Sequence, residues 1–314
     1  MECRDSTRYA AKLYFDRRDP GKDRVSAELG GLKFLWDNGE RAIPRPVAAD
    51  PDAALALYEY VDGAPALSTE VSESDVDRAV EFLVGLKLLA GREGAESLPP
   101  ATEACFSVGA ILDNISWRLA RLQGVEGHAE EHMALRSFLS GEFVPEFRDV
   151  KAWCEASLRR QGLSPETELD RRDRTLSPSD FGFHNAIRRP DGQVVYLDFE
   201  YFGWDDPAKI ISDFLHHPGM ALNEGLKDRF WGGMLDGFHP LEDLGARTET
   251  VYPLWGLRWG LILLNEFVPE MALRRAFASR VQVDQRDLRL LQLGKARRML
   301  ERVRVEREHF PYRR

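Results

Sequence analysis

The chain has 314 residues, and 43 Lys and Arg against 52 Asp and Glu give it a formal net charge of −9 at pH 7. With 43% hydrophobic and 30% charged residues it has the composition of a globular protein, not of a disordered or fibrous one. The acidic balance argues against a general binder of nucleic acid or anionic membranes, because both attract net positive charge. The length allows one large core or two smaller ones.

The cysteines and the apolar segments bound the cellular setting. Cys3, Cys105 and Cys154 lie far apart and form no CxxC pattern, which excludes a disulfide framework and a cysteine zinc site and is typical of a reducing compartment. No apolar run approaches the roughly 18 residues of a membrane span, and residues 1–9 lack a signal-peptide profile. The sequence therefore predicts a cytoplasmic protein with no membrane or nucleic-acid partner, and it does not indicate the oligomeric state.

The first sixty residues predict a small α+β unit. Residues 8–15 alternate in the period-2 pattern of a half-buried strand, with Lys12 opposite the apolar face. That predicted face consists of Tyr9, Ala11, Leu13 and Phe15. Residues 25–36 repeat apolar side chains at helical spacing, and residues 55–61 predict a second strand.

After Gly63 the chain changes to long amphipathic segments, which predict a mostly helical region. The predicted helices cover residues 76–89, 107–122, 133–139, 150–160, 222–238, 253–267 and 284–306. The exception is the segment 176–206, which reads as β-structure and contains most of the chemically informative residues.

A β-hairpin is predicted within this segment. Asp191-Gly192 lies between two short apolar strands, which is a strong hairpin signal. A two-residue loop there would place Asn185 directly opposite Asp198 on one face of the ribbon, with Cβ atoms about 5 Å apart. A carboxamide oxygen and a carboxylate at that separation can share one hard cation, and Mg²⁺ prefers such oxygen ligands.

Asp180 adds a possible proton acceptor to this pair. It precedes Asn185 by five residues, the D-x-x-x-x-N spacing of kinase catalytic loops, in which the aspartate accepts the proton of the substrate hydroxyl. The spacing alone is a weak signal, because acids in a hairpin can simply cap turns. Together with the predicted pairing and the Asp198-Phe199 dipeptide, it favours a phosphoryl-transfer site.

These residues resemble the signature of the aminoglycoside phosphotransferase and choline kinase-like families. The resemblance is carried by residues 179–185 (SDFGFHN), 197–200 (LDFE) and 203–207 (GWDDP). It implies an α+β, bilobed, protein-kinase-like fold over nearly the whole chain. Residues 1–61 would form a small, β-rich nucleotide-binding lobe, and residues 62–314 a large, mostly helical catalytic and substrate-binding lobe.

The resemblance also implies how ATP is bound. Lys12 matches the strand lysine that neutralises the α- and β-phosphates, and Glu28 matches its ion-pair partner on the following helix. Residues 58–61 match the hinge between the lobes, where the backbone of Glu59 and Val61 would hydrogen-bond adenine. Taken singly, Lys12 and Glu28 can also be read as solvated surface charges.

The remaining roles concern transfer itself. By resemblance, Asn185 and Asp198 hold Mg²⁺ on the β- and γ-phosphates, and Asp180 orients and deprotonates the acceptor. The expected activity is transfer of the γ-phosphate of ATP to a hydroxyl of a small molecule such as an aminoglycoside, an amino alcohol or a sugar. The alternative is a non-catalytic kinase-like module that binds a nucleotide or another ligand.

The chain departs from the family pattern in two places. Residues 178–180 read Pro-Ser-Asp where the family has His-Gly-Asp, so the histidine that braces the loop is missing; Asp213 is a candidate substitute brace, and His184 is interpreted as a packing or solvent-facing histidine. Only eleven residues precede Lys12, which is room for one strand, and no glycine-rich loop is visible there. We therefore expect a shortened N-terminal lobe or a nucleotide site that is open on one side.

Overall fold

The structure, a computed structural model, describes residues 8–14, 24–241, 243–272 and 284–313. Within them the chain has an α+β fold made of two units. The first unit combines residues up to 104 with residues 170–244, and the second combines residues 105–169 with those from 245 onward. This division differs from the lobe boundary expected at residue 61, which stays a prediction.

The first unit begins with a three-stranded antiparallel sheet. Its strands are β1 (Tyr9–Leu13), β2 (Pro46–Asp50) and β3 (Leu55–Glu59), with β3 between the other two. Helix α1 (Arg24–Asp37) follows β1 in the sequence, and Gly39 beyond its end adopts φ +94°, a left-handed conformation that glycine tolerates. The helix and the second strand predicted from the sequence are confirmed.

The prediction that Tyr9, Ala11, Leu13 and Phe15 form the buried face of β1 is wrong. Leu13 is 65% exposed, whereas Tyr14 is 7% exposed, and Phe15 lies outside the described residues. Lys12 and Tyr14 point to the same side because side chains two apart share a face of a strand. Both donate hydrogen bonds to the buried carboxylate of Glu28. The polar face therefore turns inward because a buried acid satisfies it.

Two smaller antiparallel sheets follow. One contains β4 (Ala64–Pro65), β6 (Ala186–Arg188) and β7 (Val194–Tyr196), with β6 in the middle; the other contains β5 (Thr175–Ser177) and β8 (Gly203–Asp205). The predicted hairpin is present as β6 and β7. Strands β5 and β8 hold the two ends of the chain segment 178–202, on which the predicted catalytic and metal-binding residues lie.

The predicted register of this hairpin is wrong by one residue. Ala186 lies opposite Tyr196, and the N–H of Leu197 donates to the carbonyl of Asn185 at 2.8 Å. Asn185 therefore faces Leu197 and not Asp198, and the two predicted metal ligands do not form a cross-strand pair.

The length of the connecting loop explains the shift. The N–H of Arg189 donates to the carbonyl of Gln193 at 2.8 Å, which leaves a loop of three residues instead of two. Pro190 has no N–H with which to close a tighter turn. Gly192, at the last loop position, adopts φ +84°, as expected for three-residue hairpin loops that end in a left-handed residue.

Three helices complete the first unit: α2 (Glu73–Leu89), α6 (Pro207–His216) and α7 (Glu224–Gly237). Helix α6 is not among the helices predicted from the sequence. Its polar residues Lys209, Ser212, Asp213 and His216 recur at helical spacing, yet all ten residues of the helix are buried. The signal that marks it is local: Asp206 accepts a hydrogen bond from the N–H of Ala208 at 2.9 Å and Pro207 occupies the first turn.

An aromatic core lies beneath the segment that carries the site. The ring of Phe181 lies 5.7 Å from that of Phe82 and 4.7 Å from that of Tyr196. Phe199, the residue after Asp198, packs against Phe202 with ring centroids 5.8 Å apart. All five side chains are buried. Two neighbours of predicted site residues are thus fixed by packing.

The second unit is helical in its described residues. It contains α3 (Val108–Gln123), α4 (Glu130–Phe138), α5 (Val144–Arg160), α8 (Leu244–Leu263, of which the first residue belongs to the other unit) and α9 (Gln285–Glu306). These helices confirm the five predicted in this part of the chain, although α4, α5 and α8 begin earlier than predicted. In residues 8–14, 24–241, 243–272 and 284–313, no helix combines the length and apolarity needed to cross a membrane.

A buried ion pair ties α2 to the hairpin. Arg188 on β6 donates to both oxygens of Asp75, at 2.5 and 3.1 Å. The Asp75 side chain, 2% exposed, also accepts from the N–H of Ser72 and so closes a capping box at the start of α2. Burial by itself would raise the pKa of Asp75, but the hydrogen bonds from Arg188 and Ser72 outweigh it and lower the pKa to about 2.

We expect Asp75→Asn to lower the free energy of unfolding by about 2 kcal/mol at pH 7. The folded pKa lies below the unfolded value of about 3.9, so this contribution is present above that pH and disappears as the pH falls towards 2. Urea unfolding of the two proteins at pH 7 and again near pH 2 measures this difference in the free energy of unfolding. Asp77→Asn is the control, since its side chain and that of Arg229, its partner, are 45% and 42% exposed, and solvent screening makes such a pair contribute less to stability. Equal losses in the two variants would contradict the assignment.

Two adjacent glycines of α1 differ in their surroundings. A Cβ atom on Gly31 would lie 2.3 Å from the ring of Phe202, whereas one on Gly30 would meet nothing within 4 Å. We expect Gly31→Ala to lower the free energy of unfolding by about 1–3 kcal/mol through overpacking. Gly30→Ala should raise it by up to about 1 kcal/mol through helix propensity. Thermal unfolding of the two single variants gives the comparison, and stabilisation by Gly31→Ala would refute the close approach.

Candidate active site

Lys12 lies among three acidic side chains. Its Nζ atom donates to Glu28 Oε2 at 2.7 Å and to Asp198 Oδ1 at 2.5 Å, and Glu200 Oε2 is 3.9 Å away. Burial by itself would lower the pKa of Lys12, but Glu28 and Asp198 outweigh it, and the pKa lies above its ordinary value. Lys12 is therefore a fixed cation at neutral pH. The structure brings together three of the predicted site residues at this point.

The carboxylate of Glu28 is buried but fully hydrogen-bonded. Its side chain is 4% exposed. Besides Lys12, it accepts from the hydroxyl of Tyr14 at 2.5 Å and from the N–H of Phe199 at 3.1 Å. The Tyr14 hydroxyl in turn contacts that of Tyr58 at 2.7 Å. Glu28 thus joins α1, β1 and the segment after β7, and it fixes the position of the Lys12 ammonium.

Asp180 and Asn185 form the second part of the site. The Nδ2 atom of Asn185 donates to the main-chain carbonyl of Asp180 at 3.0 Å and lies 3.3 Å from its Oδ2 atom. Because Nδ2 is engaged in this way, Oδ1 of Asn185 is the atom left for an external partner. The D-x-x-x-x-N spacing therefore corresponds to a direct contact between its two ends.

Asp198 approaches these residues by a different route from the one predicted. It follows Leu197, whose N–H is bonded to Asn185, and it adopts φ +64°, a conformation that non-glycine residues seldom occupy. This turn leaves its carboxylate next to Lys12. Asn185 Oδ1 and the Asp198 carboxylate are oxygen donors of the kind that Mg²⁺ prefers, so the donor set fits this ion even though the cross-strand pairing is absent.

Two histidines contact Asp180. His184 Nε2 lies 3.1 Å from Asp180 Oδ1, and His217 Nε2 lies 3.6 Å from the same oxygen. The two imidazole rings stack with centroids 3.8 Å apart. His184, expected only to pack or to face solvent, is thus also a partner of Asp180. His217 was missed because it directly follows α6, which is not among the predicted helices.

The surroundings of Asp180 keep it ionised. Burial by itself would raise the pKa of this carboxyl, but the hydrogen bonding of His184 and His217 outweighs it, and the pKa lies well below its ordinary value. A group that is to accept a proton must be unprotonated at the working pH. Asp180 meets this requirement.

Lys209 braces the turn that precedes Asp180. This side chain is fully buried, and its Nζ atom donates to Ser179 Oγ at 2.9 Å and to Asp205 Oδ2 at 2.7 Å. Asp213 Oδ2 lies 3.4 Å from the same nitrogen. Asp213, the expected substitute brace, thus acts on the loop through Lys209. Ser179 adopts φ +69°, so its hydroxyl is held while its backbone is in the left-handed region.

The two predicted hinge residues differ in what they offer. The N–H of Glu59 already donates to the carbonyl of Arg45 at 2.9 Å, and its carboxylate accepts from Arg189 at 3.1 Å. Val61 is 6% exposed, and within the part of the chain that the structure describes its N–H and carbonyl have no hydrogen-bond partner. The backbone of Val61 is therefore available to hydrogen-bond a nucleotide base, whereas the N–H group of Glu59 is already occupied.

Two substitutions of Ser179 distinguish the hydrogen bond from Lys209 from the backbone strain at this residue. Ser179→Ala removes the acceptor of Lys209 and keeps the left-handed backbone, so it should lower the free energy of unfolding by about 1–3 kcal/mol. Ser179→Gly also removes the acceptor but releases about 1 kcal/mol of strain. We expect the glycine variant to unfold at higher urea concentration than the alanine variant. The reverse order would show that the backbone at this residue is unstrained.

The comparisons with known proteins identify the family and the fold. Residues 4–244 match the phosphotransferase enzyme family. Among curated protein sequences none matches this chain at a significant level. The fold is similar to that of an ethanolamine kinase from Plasmodium vivax, with 14% identity, a TM-score of 0.56 and coverage of 94% of this chain and 77% of that one.

Two further solved structures share the fold. Choline kinase LicA from Streptococcus pneumoniae has 14% identity and a TM-score of 0.55, over 94% of this chain and 86% of that one. A spectinomycin phosphotransferase in complex with ADP and spectinomycin has 8% identity and a TM-score of 0.61, over 96% of this chain and 87% of that one. The family and the fold expected from the sequence are confirmed: the chain belongs to the phosphotransferase enzyme family and has a protein-kinase-like fold.

Proposed function

We propose that this protein transfers the γ-phosphate of ATP to a hydroxyl group of a small molecule. The observation that carries the proposal is the arrangement around Lys12: a partly buried cation held by Glu28 and Asp198, with Asp180 and Asn185 in direct contact on the adjoining segment. A scaffold without phosphate chemistry has no physical need for this combination of charges.

On the nucleotide side, Lys12 would neutralise the α- and β-phosphates, and Glu28 would keep its ammonium in place. Asn185 and Asp198 would hold Mg²⁺, which when bound neutralises charge on the β- and γ-phosphates. The buried backbone of Val61 would bind adenine, together with the carbonyl of Glu59, whose N–H is occupied by Arg45.

On the acceptor side, Asp180 would accept the proton of the attacking hydroxyl. The acceptor oxygen forms a bond to the γ-phosphorus, the bond between that phosphorus and the bridging oxygen of ADP breaks, and the hydroxyl proton passes to the Asp180 carboxylate. Phosphoryl transfer depends mainly on positioning and charge stabilisation. The low pKa of Asp180 is suited to orienting the hydroxyl and receiving its proton late in the transfer.

For the acceptor we propose an alcohol that also carries an amino group. The proteins of similar fold are named for ethanolamine, choline and spectinomycin, which all combine a hydroxyl group with an amine or a quaternary ammonium group. The net charge of −9 favours a cationic ligand over an anionic one. Ethanolamine, choline and spectinomycin, with a neutral sugar beside them, therefore form the first set of acceptors to test.

Two substitutions separate the proposed roles of Asp180 and Asp198. We expect Asp180→Ala to keep its affinity for Mg-ATP and to lose about 10²–10⁴-fold in turnover, the usual contribution of a positioned base. Asp198→Ala should lose Mg²⁺-dependent ATP binding as well. Asp191→Ala, in the exposed hairpin loop, is the matched control and should change neither quantity.

Binding is measured by thermal unfolding and by calorimetric titration with Mg-ATP, and turnover by ADP release in the presence of each acceptor. At a hundred times Kd, Mg-ATP should stabilise the unchanged protein by about 2.7 kcal/mol. Full activity of Asp180→Ala would refute the base assignment. Binding of Mg-ATP without transfer to any acceptor or to water would favour the alternative, a non-catalytic nucleotide-binding module.

A further inference from the structure

The two stacked histidines beside Asp180 have no part in the transfer described so far. Both side chains are largely buried, with 17% of His184 and 11% of His217 exposed. They come from different places: His184 directly precedes Asn185 in the catalytic loop, and His217 directly follows α6. Because no local constraint brings them together, their convergence on Oδ1 of Asp180 requires an explanation of its own.

A backbone contact fixes the proton on His217. The N–H of Gly219 donates to Nδ1 of His217 at 3.2 Å, so Nδ1 carries a lone pair and the neutral ring carries its proton on Nε2. Burial lowers the pKa of His217, which favours the neutral ring. The Nε2–H group is the one on the side of Asp180, 3.6 Å from Oδ1, a distance from which a small movement completes a hydrogen bond.

Packing fixes the ring of His184. On one side lies His217, with ring planes only 12° apart. The loop itself also approaches this ring closely, since a Cβ atom on Gly182 would lie 2.9 Å from Nδ1 of His184 and 2.5 Å from the sulfur of Met220. That Nδ1 atom is buried and has no hydrogen-bond partner among the described residues. The hydrogen bond of this ring is therefore the one from Nε2 to Asp180.

Two histidines and a carboxylate can also bind a metal ion, which is the alternative to hydrogen bonding with Asp180. Ligand atoms of Asp180, His184 and His217 lie within 4.8 Å of one another. A neutral imidazole that binds a metal through Nε2 must carry its proton on Nδ1 and donate it to an acceptor. In His217 that position faces a donor, the N–H of Gly219. The surroundings of His217 therefore favour hydrogen-bond donation to Asp180.

We propose that His184 and His217 are positioning residues, which hold Oδ1 of Asp180 so that Oδ2, the oxygen that also contacts Nδ2 of Asn185, keeps a lone pair directed to the acceptor hydroxyl; the proposal rests on the phosphotransferase function proposed above. The terminal torsion of an aspartate is broad and roughly two-fold, so a carboxylate without such partners samples several orientations. N–H donors directed at one oxygen restrict this rotation. Because orientation dominates phosphoryl transfer, losing them should slow transfer without weakening nucleotide binding.

The test compares three variants of the full-length protein. His217→Phe keeps a flat ring against His184 but removes the N–H group, and His217→Gln replaces that donor with an amide N–H. His128→Gln, at an exposed position in the second unit, is the control. The probe reaction is ADP release from Mg-ATP with water as acceptor, and calorimetry gives the affinity for Mg-ATP. Imidazole ¹H–¹⁵N NMR spectra report the tautomer of His217 in the unchanged protein, and titration with Zn²⁺ tests for a metal site.

We expect His217→Phe to lower the rate about tenfold at unchanged affinity for Mg-ATP, and His217→Gln to recover part of the loss. The NMR spectrum should show the proton of His217 on Nε2. A fully active phenylalanine variant, a proton on Nδ1, or Zn²⁺ binding that is lost on substitution of His217 would overturn the proposal. Absence of ATP hydrolysis in the unchanged protein would count against the proposed function, whereas the NMR spectrum decides the histidine arrangement by itself.

Discussion

The contact of Lys12 with Glu28 and Asp198 is the interaction on which the rest of the site depends. It joins three chain segments that are distant in sequence: a strand near the start, the helix that follows it, and the residues after the hairpin. A buried ammonium and a buried carboxylate are each unfavourable alone. Together, with hydrogen bonds from Tyr14 and Phe199 completing the shell of Glu28, they compensate one another, and removing Lys12 would leave Glu28 and Asp198 without their shared cation.

In the loop around Asp180, different residues hold a charged side chain in place. Asp180 must be ionised, oriented and accessible, and its side chain is 39% exposed. Its orientation is set from three directions: by Asn185 within the loop, by the stacked histidines, and by the Lys209–Ser179 contact just before it. Phe181 anchors the same loop in the aromatic core. The polar contacts thus determine where the carboxylate points, while apolar packing determines where the loop lies.

Much of this organisation can be predicted from the sequence. The helices with one apolar face, the strand that contains Lys12 and the hairpin around Asp191-Gly192 all follow from local periodicity and turn chemistry. The family resemblance adds the expectation that Lys12, Glu28, Asp180, Asn185 and Asp198 meet, and the structure places them in two connected clusters. Periodicity could not predict which face of β1 is buried. Lys12 and Tyr14 can face inward only because they donate hydrogen bonds to Glu28, a buried acid from another segment.

The other differences have equally specific causes. The hairpin register depends on whether Pro190 belongs to the loop, which a dipeptide signal does not decide. Helix α6 is not among the predicted helices, so neither Lys209 on this helix nor His217 directly after it belongs to the predicted site. Both residues act over long sequence separations, where spacing carries no information.

The Lys209–Ser179 contact has a consequence for how related chains are compared. In the family motif the loop is braced from its own first residue, whereas here the brace comes from a helix that lies downstream and the motif's glycine is a serine. The substitutions at residues 178 and 179 are then linked: the histidine that would stabilise the loop locally is missing, and the serine hydroxyl accepts a hydrogen bond from the distant Lys209. The altered motif therefore does not by itself indicate a lost function. A chain judged only by the letters of its catalytic loop would be classed as inactive, although the same turn is stabilised by other means.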